Sequence, residues 1–309
     1  MTRTRRDFLT GSAAALAGAA IARAWPLAAW QGGAQAAPVT PVFTPIRRGV
    51  GFFTARGGTI GYLVNPSGVL VVDAQYPETA ALCLAGLNER SGGRPVDALV
   101  NTHHHGDHTA GNIAFKGVAK TVVAHRQAAE HMRHPPGRNA PTAEQLYPDT
   151  TFETTWDVAI GDERIQAKHY GRAHTSGDAV ITFAEANVAH MGDLMFNRRH
   201  AVIDRPAGAS VAHWVTVIEG ALADHGADTI YIFGHAGTGH PVTGSRADLL
   251  VMRDYLTALL DFVRKQVAAG KTQEEILAIK DLLPGFDQHG PLTPGVLRPA
   301  YEEVTAASH

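Results

Sequence analysis

One short polar run constrains this chain more than any other feature. The run HHHGDH at positions 103–108 directly follows an apolar strand predicted over 96–100. A loop that leaves the end of a buried strand can direct several side chains into one cavity. His103 and His105 are two positions apart, so in an extended backbone they share one face and could hold one metal ion. Asp107 and His108, which follow the glycine, could turn toward a second metal ion.

Composition is consistent with this interpretation and excludes other classes of protein. The chain has 17 histidines in 309 residues, and neutral imidazole is a preferred zinc ligand. Cys83 is the single cysteine, so an internal disulfide and a cysteine-rich zinc site are both excluded. The formal net charge is only -2, whereas nucleic-acid binders usually carry a basic excess. We therefore expect a small-molecule substrate and no nucleic-acid partner.

Residues 1–37 resemble a twin-arginine export signal. Arg5 and Arg6 precede an apolar run over 11–22, and small residues follow at 34–37, as a signal peptidase prefers. The apolar run is too short for a spanning helix, which needs roughly twenty residues. The segment predicts a periplasmic protein without a stable membrane anchor, whose mature domain covers 38–309.

Strand and helix patterns alternate along the mature domain. Two strands, 59–64 and 69–73, flank a turn that contains proline and glycine, and a loop is predicted over 134–149. Helices are predicted over 77–90, 126–133, 210–225, 246–268 and 272–281, the last two within a helical C-terminal tail of about 246–309. This alternation favours a layered α/β (α+β) sandwich over a doubly wound parallel sheet.

The motifs resemble those of the metallo-β-lactamase superfamily. HHHGDH resembles its H-x-H-x-D-H signature, and TAGN at 109–112 is similar to its T-G-G-N continuation. Three later family segments follow in order, namely GRAHTSGD at 171–178, MGD at 191–193 and FGHA at 233–236. The resemblance covers about 50–244. It implies an αββα sandwich, in which two mixed β-sheets are flanked by helices and the metals lie at the sheet edge.

The resemblance also implies a set of seven metal ligands for two zinc ions per chain. These are His103, His105, Asp107, His108, His174, Asp193 and His235. Three histidines would form the first site, Asp107, His108 and His235 the second, and Asp193 would lie between the two. Zinc lowers the pKa of bound water to roughly 7, so a hydroxide between the ions would attack a carbonyl. Asp107 is expected to orient that hydroxide or relay its proton.

Three further polar residues are candidates for supporting roles. Asp73, at a strand end, is either an acid that orients a ligand imidazole or an ordinary turn residue. Arg198 and Arg199 are candidates for binding a substrate carboxylate, or are solvated loop residues. His104 alternates with its neighbours and is expected to face away from the metals.

The substrate is less tightly constrained. An acid at position 193 is commoner in the glyoxalase II, lactonase and other ester or thioester hydrolases of the superfamily than in its two-zinc β-lactamases. We therefore expect hydrolysis of an ester, thioester, lactone or lactam bond. Residues 208–235 resemble the helix-then-strand segment of the superfamily's β-lactamases in length and pattern. Hydrolysis of β-lactams therefore stays an alternative.

Other functional classes also remain open. They are a mononuclear iron oxygenase acting on sulfur compounds, a phosphodiesterase or nuclease, and a binding protein without activity. The near-neutral charge argues against a nuclease, and the full ligand set argues against an inactive protein. A homo-oligomer remains open as well.

Overall fold

Two β-sheets pack face to face in the computed structural model, which describes residues 40–137 and 143–306. The first sheet has seven strands in the order β1 to β7. Its strands are β1 (Val42–Arg47), β2 (Val50–Thr54), β3 (Ile60–Asn65), β4 (Gly68–Val72), β5 (Ala98–Asn101), β6 (Val122–His125) and β7 (Thr150–Phe152). β1 to β4 form an antiparallel meander and β4 to β7 run parallel, so the sheet is mixed.

The second sheet has six strands in the order β15-β13-β11-β10-β9-β8. Its strands are β8 (Thr155–Ile160), β9 (Glu163–Lys168), β10 (Val180–Phe183), β11 (Val188–His190), β13 (Ile230–Ile232) and β15 (Thr243–Gly244). β11 and β13 are parallel and the other pairs are antiparallel. A separate parallel pair consists of β12 (Phe196–Asn197) and β14 (His235–Ala236).

Helices cover the outer faces of both sheets. They are α1 (Pro77–Ser91), α2 (Gly106–Thr109), α3 (Arg126–Arg133), α4 (Val211–Asp224), α5 (Arg246–Ala268), α6 (Gln273–Leu277) and α7 (Pro294–Ala306). α1 packs against the first sheet, α4 and α5 belong to the core of the second, and α7 packs on α5 and α6. The predicted αββα sandwich with two mixed sheets is confirmed.

The alternation of side chains along the strands explains the layers. In β4, Leu70 and Val72 join the apolar core between the sheets, whereas Val69 and Val71 join the core beneath α1. All four are buried, which explains why β4 is a continuous apolar run rather than an alternating one. Each such side chain contributes about 1.5–3 kcal/mol by its removal from water.

The C-terminal segment contains a helix to which the sequence analysis assigned no bounds within the predicted helical tail. α7 begins at Pro294 and includes Pro299. Glu303 on α7 accepts hydrogen bonds from Ser210 Oγ (2.9 Å) and the Val211 backbone N–H (2.7 Å). The carboxylate therefore caps the N-terminus of α4, where negative charge is favourable.

One predicted helix was too long. The helix predicted to end at Asp281 ends at Leu277. The predicted export segment lies outside the described residues, and export stays a prediction. Within 40–137 and 143–306, no helix combines the length and apolar character that crossing a bilayer requires.

The topology brings four chain segments to one edge of the sandwich. The segment 103–108 leaves the end of β5, residue 193 follows β11, and residue 235 follows β13. Residue 174 precedes β10, which is antiparallel to β11, so the start of β10 meets the end of β11 at the same edge. Side chains that are distant in sequence can therefore meet there.

A buried pair of asparagines fixes the loop between β5 and α2. Asn101 Nδ2 donates to Asn112 Oδ1 at 3.1 Å, and Asn112 Nδ2 donates to Asn101 Oδ1 at 2.8 Å.

We expect Asn112→Ala to lower the free energy of unfolding by about 1–3 kcal/mol, because it leaves the Asn101 amide unsatisfied. Urea unfolding measures this change. Asn88→Ala on the exposed face of α1 is the control, and an equal loss there would contradict the assignment.

Candidate metal centre

The seven predicted ligands lie together in two adjacent groups. In the first group, one potential ligand atom from each residue lies within 4.8 Å of the others, and its members are His103, His105, His174 and Asp193. The second group meets the same limit with Asp107, His108 and His235. The structure thus brings together the side chains that the sequence motifs indicate, and their role as ligands stays a prediction.

Asp193 lies between the two groups and presents a different oxygen to each. Its Oδ2 lies 3.5 Å from His174 Nε2 and 3.8 Å from His103 Nε2. Its Oδ1 lies 3.0 Å from His108 Nε2 and 3.4 Å from His235 Nε2. One carboxylate can therefore contact two cations at once.

Asp73 determines which nitrogen of two histidines faces the centre. Its Oδ2 lies 2.8 Å from His108 Nδ1, so that nitrogen is the donor and Nε2 points inward. Thr102 Oγ1 donates to the same carboxylate at 2.7 Å. Because the hydroxyl proton of Thr102 is thereby used, His103 Nδ1 must donate to Thr102 Oγ1, at 3.0 Å. The inward Nε2 of His103 then has a free lone pair in the neutral ring.

The other two histidines of the first group are oriented in the same way. His174 Nδ1 lies 2.7 Å from the Val202 carbonyl, which can only accept. His105 Nε2 lies 2.7 Å from Asp204 Oδ2, which orients the His105 ring. The remaining nitrogens, His174 Nε2 and His105 Nδ1, face each other at 2.9 Å. In neutral rings both carry lone pairs, so a cation is needed between them.

The donor set therefore fits metal ions. His103 Nε2 is buried without a hydrogen-bond partner, which is costly unless a cation satisfies it. In the second group, His108 Nε2 and His235 Nε2 are 3.3 Å apart. Imidazole nitrogens and carboxylate oxygens are suited to zinc. Hydrogen bonds from ring N–H groups to carboxylates or carbonyls are typical around ligating histidines.

The electrostatics differ between the two groups. Burial lowers the pKa of His174 to about 4 and holds the pKa of His103 well below its ordinary value, so both rings are neutral and ready to coordinate. Burial also acts to lower the pKa of His235, but the Asp193 carboxylate and a hydrogen bond to Asp107 raise it to about 9. Asp193 and Asp73 likewise raise the pKa of His108 well above its ordinary value.

The acids remain charged despite burial. Burial acts to raise the pKa of Asp193, but the positive charge of His108 and His235 holds that pKa well below its ordinary value. Burial also acts to raise the pKa of Asp107, but the hydrogen bond from His235 lowers that pKa to about 2. The centre therefore holds carboxylates rather than neutral acids.

Two glycines leave room for these side chains. A Cβ atom at Gly58 would lie 2.1 Å from His108 Cε1, and one at Gly234 would lie 2.1 Å from Asp193 Oδ1. Real Cβ atoms do not approach so closely, so any larger residue at either position would displace a predicted ligand.

The centre opens into a cavity of about 330 Å³, lined by two predicted ligands of the first group, His105 and Asp193, and two of the second, Asp107 and His235. Arg199 and Tyr76 also line it. Arg199 is exposed, packs over the Phe196 ring at 5.8 Å, and makes no ion pair with another described residue. Arg198 faces elsewhere: its Nε donates to Gln288 Oε1 at 3.0 Å, and it lines a different cavity. Only one of the two predicted arginines therefore reaches the centre.

Sequence reasoning missed two residues of the centre, Thr102 and Asp204. Thr102 could have been found because it directly precedes His103. Asp204 has no motif around it, and only the folded chain brings it to His105. His104 was expected to face away. Its side chain is only 7% exposed and packs against His131, with ring centroids 5.0 Å apart.

We expect Asp73→Asn to destabilise the chelator-treated protein by about 1.5–3 kcal/mol, because the amide cannot accept from all three donors that the carboxylate satisfies. Asparagine tolerates the positive φ of 64° at this position, so the change isolates the charge. Urea unfolding measures the effect. Asp261→Asn removes a carboxylate from an exposed ion pair on α5 and is expected to cost under about 0.5 kcal/mol. Equal effects would show that Asp73 is an ordinary turn residue.

Comparisons with known proteins agree with this architecture. The family model for the metallo-beta-lactamase superfamily matches residues 54–260, about two thirds of the chain. A metallo-beta-lactamase from Pontibacter korlensis is similar, with a TM-score of 0.59 and 19% identity over 71% of this chain and 99% of that one. The DIM-1 metallo-beta-lactamase has a TM-score of 0.58 and 15% identity over 71% of this chain and 99% of its own.

A stereoselective inverting sec-alkylsulfatase, Pisa1 from Pseudomonas sp., is similar over more of this chain. It has a TM-score of 0.65 and 17% identity, and the match covers 85% of this chain but only 50% of the sulfatase. At these identities the solved structures show a shared fold. Together with the family match over residues 54–260, they establish that this chain belongs to the metallo-beta-lactamase superfamily.

Proposed function

We propose that this protein is a hydrolase that holds two zinc ions and cleaves an ester, thioester, lactone or lactam bond in a small molecule. The observation that carries the proposal is the position of Asp193, whose two oxygens face separate groups of imidazoles. A single-metal protein would need only one of these groups.

In this proposal His103, His105 and His174 hold the first zinc ion, and Asp107, His108 and His235 hold the second. Asp193 contacts both. When bound, zinc polarises a carbonyl and lowers the pKa of bound water to roughly 7, which supplies a nucleophile at neutral pH.

The chain's own residues orient the reaction. Asp107 is 28% exposed, lines the cavity and lies 3.1 Å from His235 Nε2. Because its pKa is about 2, it is a poor proton acceptor near neutral pH. We therefore assign it the role of orienting the attacking water by accepting a hydrogen bond, rather than that of storing the proton.

Arg199 determines the charge of the preferred substrate. It is the free cation of the cavity within the described part of the chain, and guanidinium binds carboxylate or sulfate through paired hydrogen bonds. The proposed substrate therefore carries an anionic group beside the bond that is cleaved.

The proposal is tested with purified zinc-loaded protein and a panel of substrates. The panel contains a cephalosporin, a homoserine lactone, a thioester, a sec-alkyl sulfate and a phosphodiester. We expect turnover of one of the first three, its loss with a chelator and its return with zinc. Turnover of the phosphodiester alone, or full activity in metal-free protein, would overturn the proposal.

We expect Asp193→Ala to reduce bound zinc below two per chain and kcat/KM by at least about a hundredfold, since each zinc loses a ligand. Elemental analysis and steady-state kinetics on the same preparation give both values. Asp254→Ala, at an exposed position on α5, is the control and keeps both unchanged. Unchanged zinc in Asp193→Ala would show that the bridging assignment is wrong.

A matched pair of arginine variants tests the anion site. Arg199→Ala is expected to raise KM for an anionic substrate about tenfold and to leave KM for its neutral methyl ester within about twofold, because a charge-assisted pair contributes about 1.4 kcal/mol. Arg198→Ala is the control, since Arg198 faces Gln288 and Asp248. An equal effect of both variants on KM would contradict a specific role for Arg199.

A further inference from the structure

A second cavity adjoins the metal centre and is not part of it. Its volume is about 250 Å³, and it lies between α3, the start of α2 and the segment 145–147. Its lining residues include His105 and Gly106, which also line the cavity of the metal centre. The two cavities therefore meet at the backbone of one predicted ligand.

The walls of this second cavity are largely apolar. They are formed by Met132, Pro135, Pro136, Leu146 and Tyr147. A cavity of about 150 Å³ is large enough for a benzene ring, so this one admits an aromatic ring with a short substituent or a chain of about six carbons. The walls thus fit an uncharged apolar group.

The polar end of the cavity carries one carboxylate, that of Asp204. Its Oδ2 lies 2.7 Å from His105 Nε2, so it is already hydrogen-bonded, and its negative charge disfavours an anionic ligand. His131 Nε2 is hydrogen-bonded to Ser176 Oγ at 2.9 Å. The polar groups at the end that faces the metal centre are therefore already hydrogen-bonded to other side chains. This end provides no site for a second anionic group.

We propose that this second cavity binds the apolar acyl or aryl group of the substrate, with the scissile bond lying over the metal centre beside His105. This inference rests on the proposed hydrolase function and narrows its substrate class. Arg199 lies in the adjoining cavity, so the substrate has an anionic part and an apolar part on the two sides of the bond that is cleaved.

The test measures kcat/KM of the zinc-loaded protein for p-nitrophenyl esters of acetate, hexanoate, phenylacetate and dodecanoate. We expect hexanoate and phenylacetate to exceed acetate by at least tenfold, since each buried methylene contributes about fourfold. Dodecanoate is expected to fall below hexanoate because it exceeds the cavity.

Variants at Leu146 change the depth of the cavity. Leu146→Phe is expected to lower the ratio of the hexanoate to the acetate value at least tenfold, and Leu146→Ala to move the optimum to a longer chain. Leu84→Phe, at a groove beside α1 away from the centre, is the control and leaves the ratio unchanged. Circular dichroism and thermal unfolding confirm that each variant is folded, and Leu146→Ala provides a second test if Leu146→Phe is not.

A binding measurement separates failure of this inference from failure of the proposed function. Calorimetry with n-hexanol, which needs no turnover, is expected to show binding that weakens at least tenfold in Leu146→Phe. Hexanol binding of this kind, without turnover of any of these esters or of the cephalosporin, lactone and thioester of the panel, would overturn the hydrolase and retain the apolar site. Turnover without dependence on chain length, in both the wild type and Leu146→Phe, would overturn the apolar site alone.

Discussion

The metal centre depends on one buried carboxylate, that of Asp73. It is fully buried at the end of β4, in a left-handed backbone conformation, and a carboxylate in such a place is tolerated only when it is well hydrogen-bonded. The Thr102 backbone, the Thr102 hydroxyl and His108 Nδ1 supply the three donors. The loop after β5 is thereby folded around a negative charge, and the rings of His103 and His108 are turned inward as a consequence.

The inward nitrogens and the Asp193 carboxylate together require positive charge. Without metal, protons supply it, because the raised pKa values of His108 and His235 keep these rings protonated near neutral pH. A metal ion must displace those protons, so binding at the second group is coupled to proton release. The first group differs because burial keeps His103 and His174 neutral. If both groups hold metal ions, as proposed, their affinities would depend differently on pH, although Asp193 joins them.

The sequence indicated most of the fold and the seven side chains that meet at the candidate centre, because both are encoded locally; the role of these side chains as ligands stays a prediction. Ligands cluster in short motifs at strand ends, and β4 and β5 are apolar runs of strand length. Other features depend on the folded chain. Asp204 contacts a histidine 99 positions away, which no motif records. Arg198 and Arg199 are neighbours, but the positive φ of 54° at Arg198 turns the chain there, and the two side chains face different cavities. The bounds of α7 could not be predicted because prolines disfavour a helix there, whereas packing in the folded chain stabilises it.

In the proposed hydrolase, His105 would connect the candidate metal centre with the binding of the apolar part of the substrate. Its Nδ1 faces the first group of ligands, while its Nε2 lies 2.7 Å from Asp204, a residue of the neighbouring cavity. A carboxylate that accepts from a ligand imidazole fixes the ring and increases its basicity. An apolar group in that cavity would lie beside the Asp204 carboxylate and exclude water from it, which strengthens the hydrogen bond to His105. If His105 holds a metal ion, as proposed, an apolar group in this cavity would make the ring a stronger ligand, and binding of the proposed substrate would then be coupled to the properties of the candidate centre.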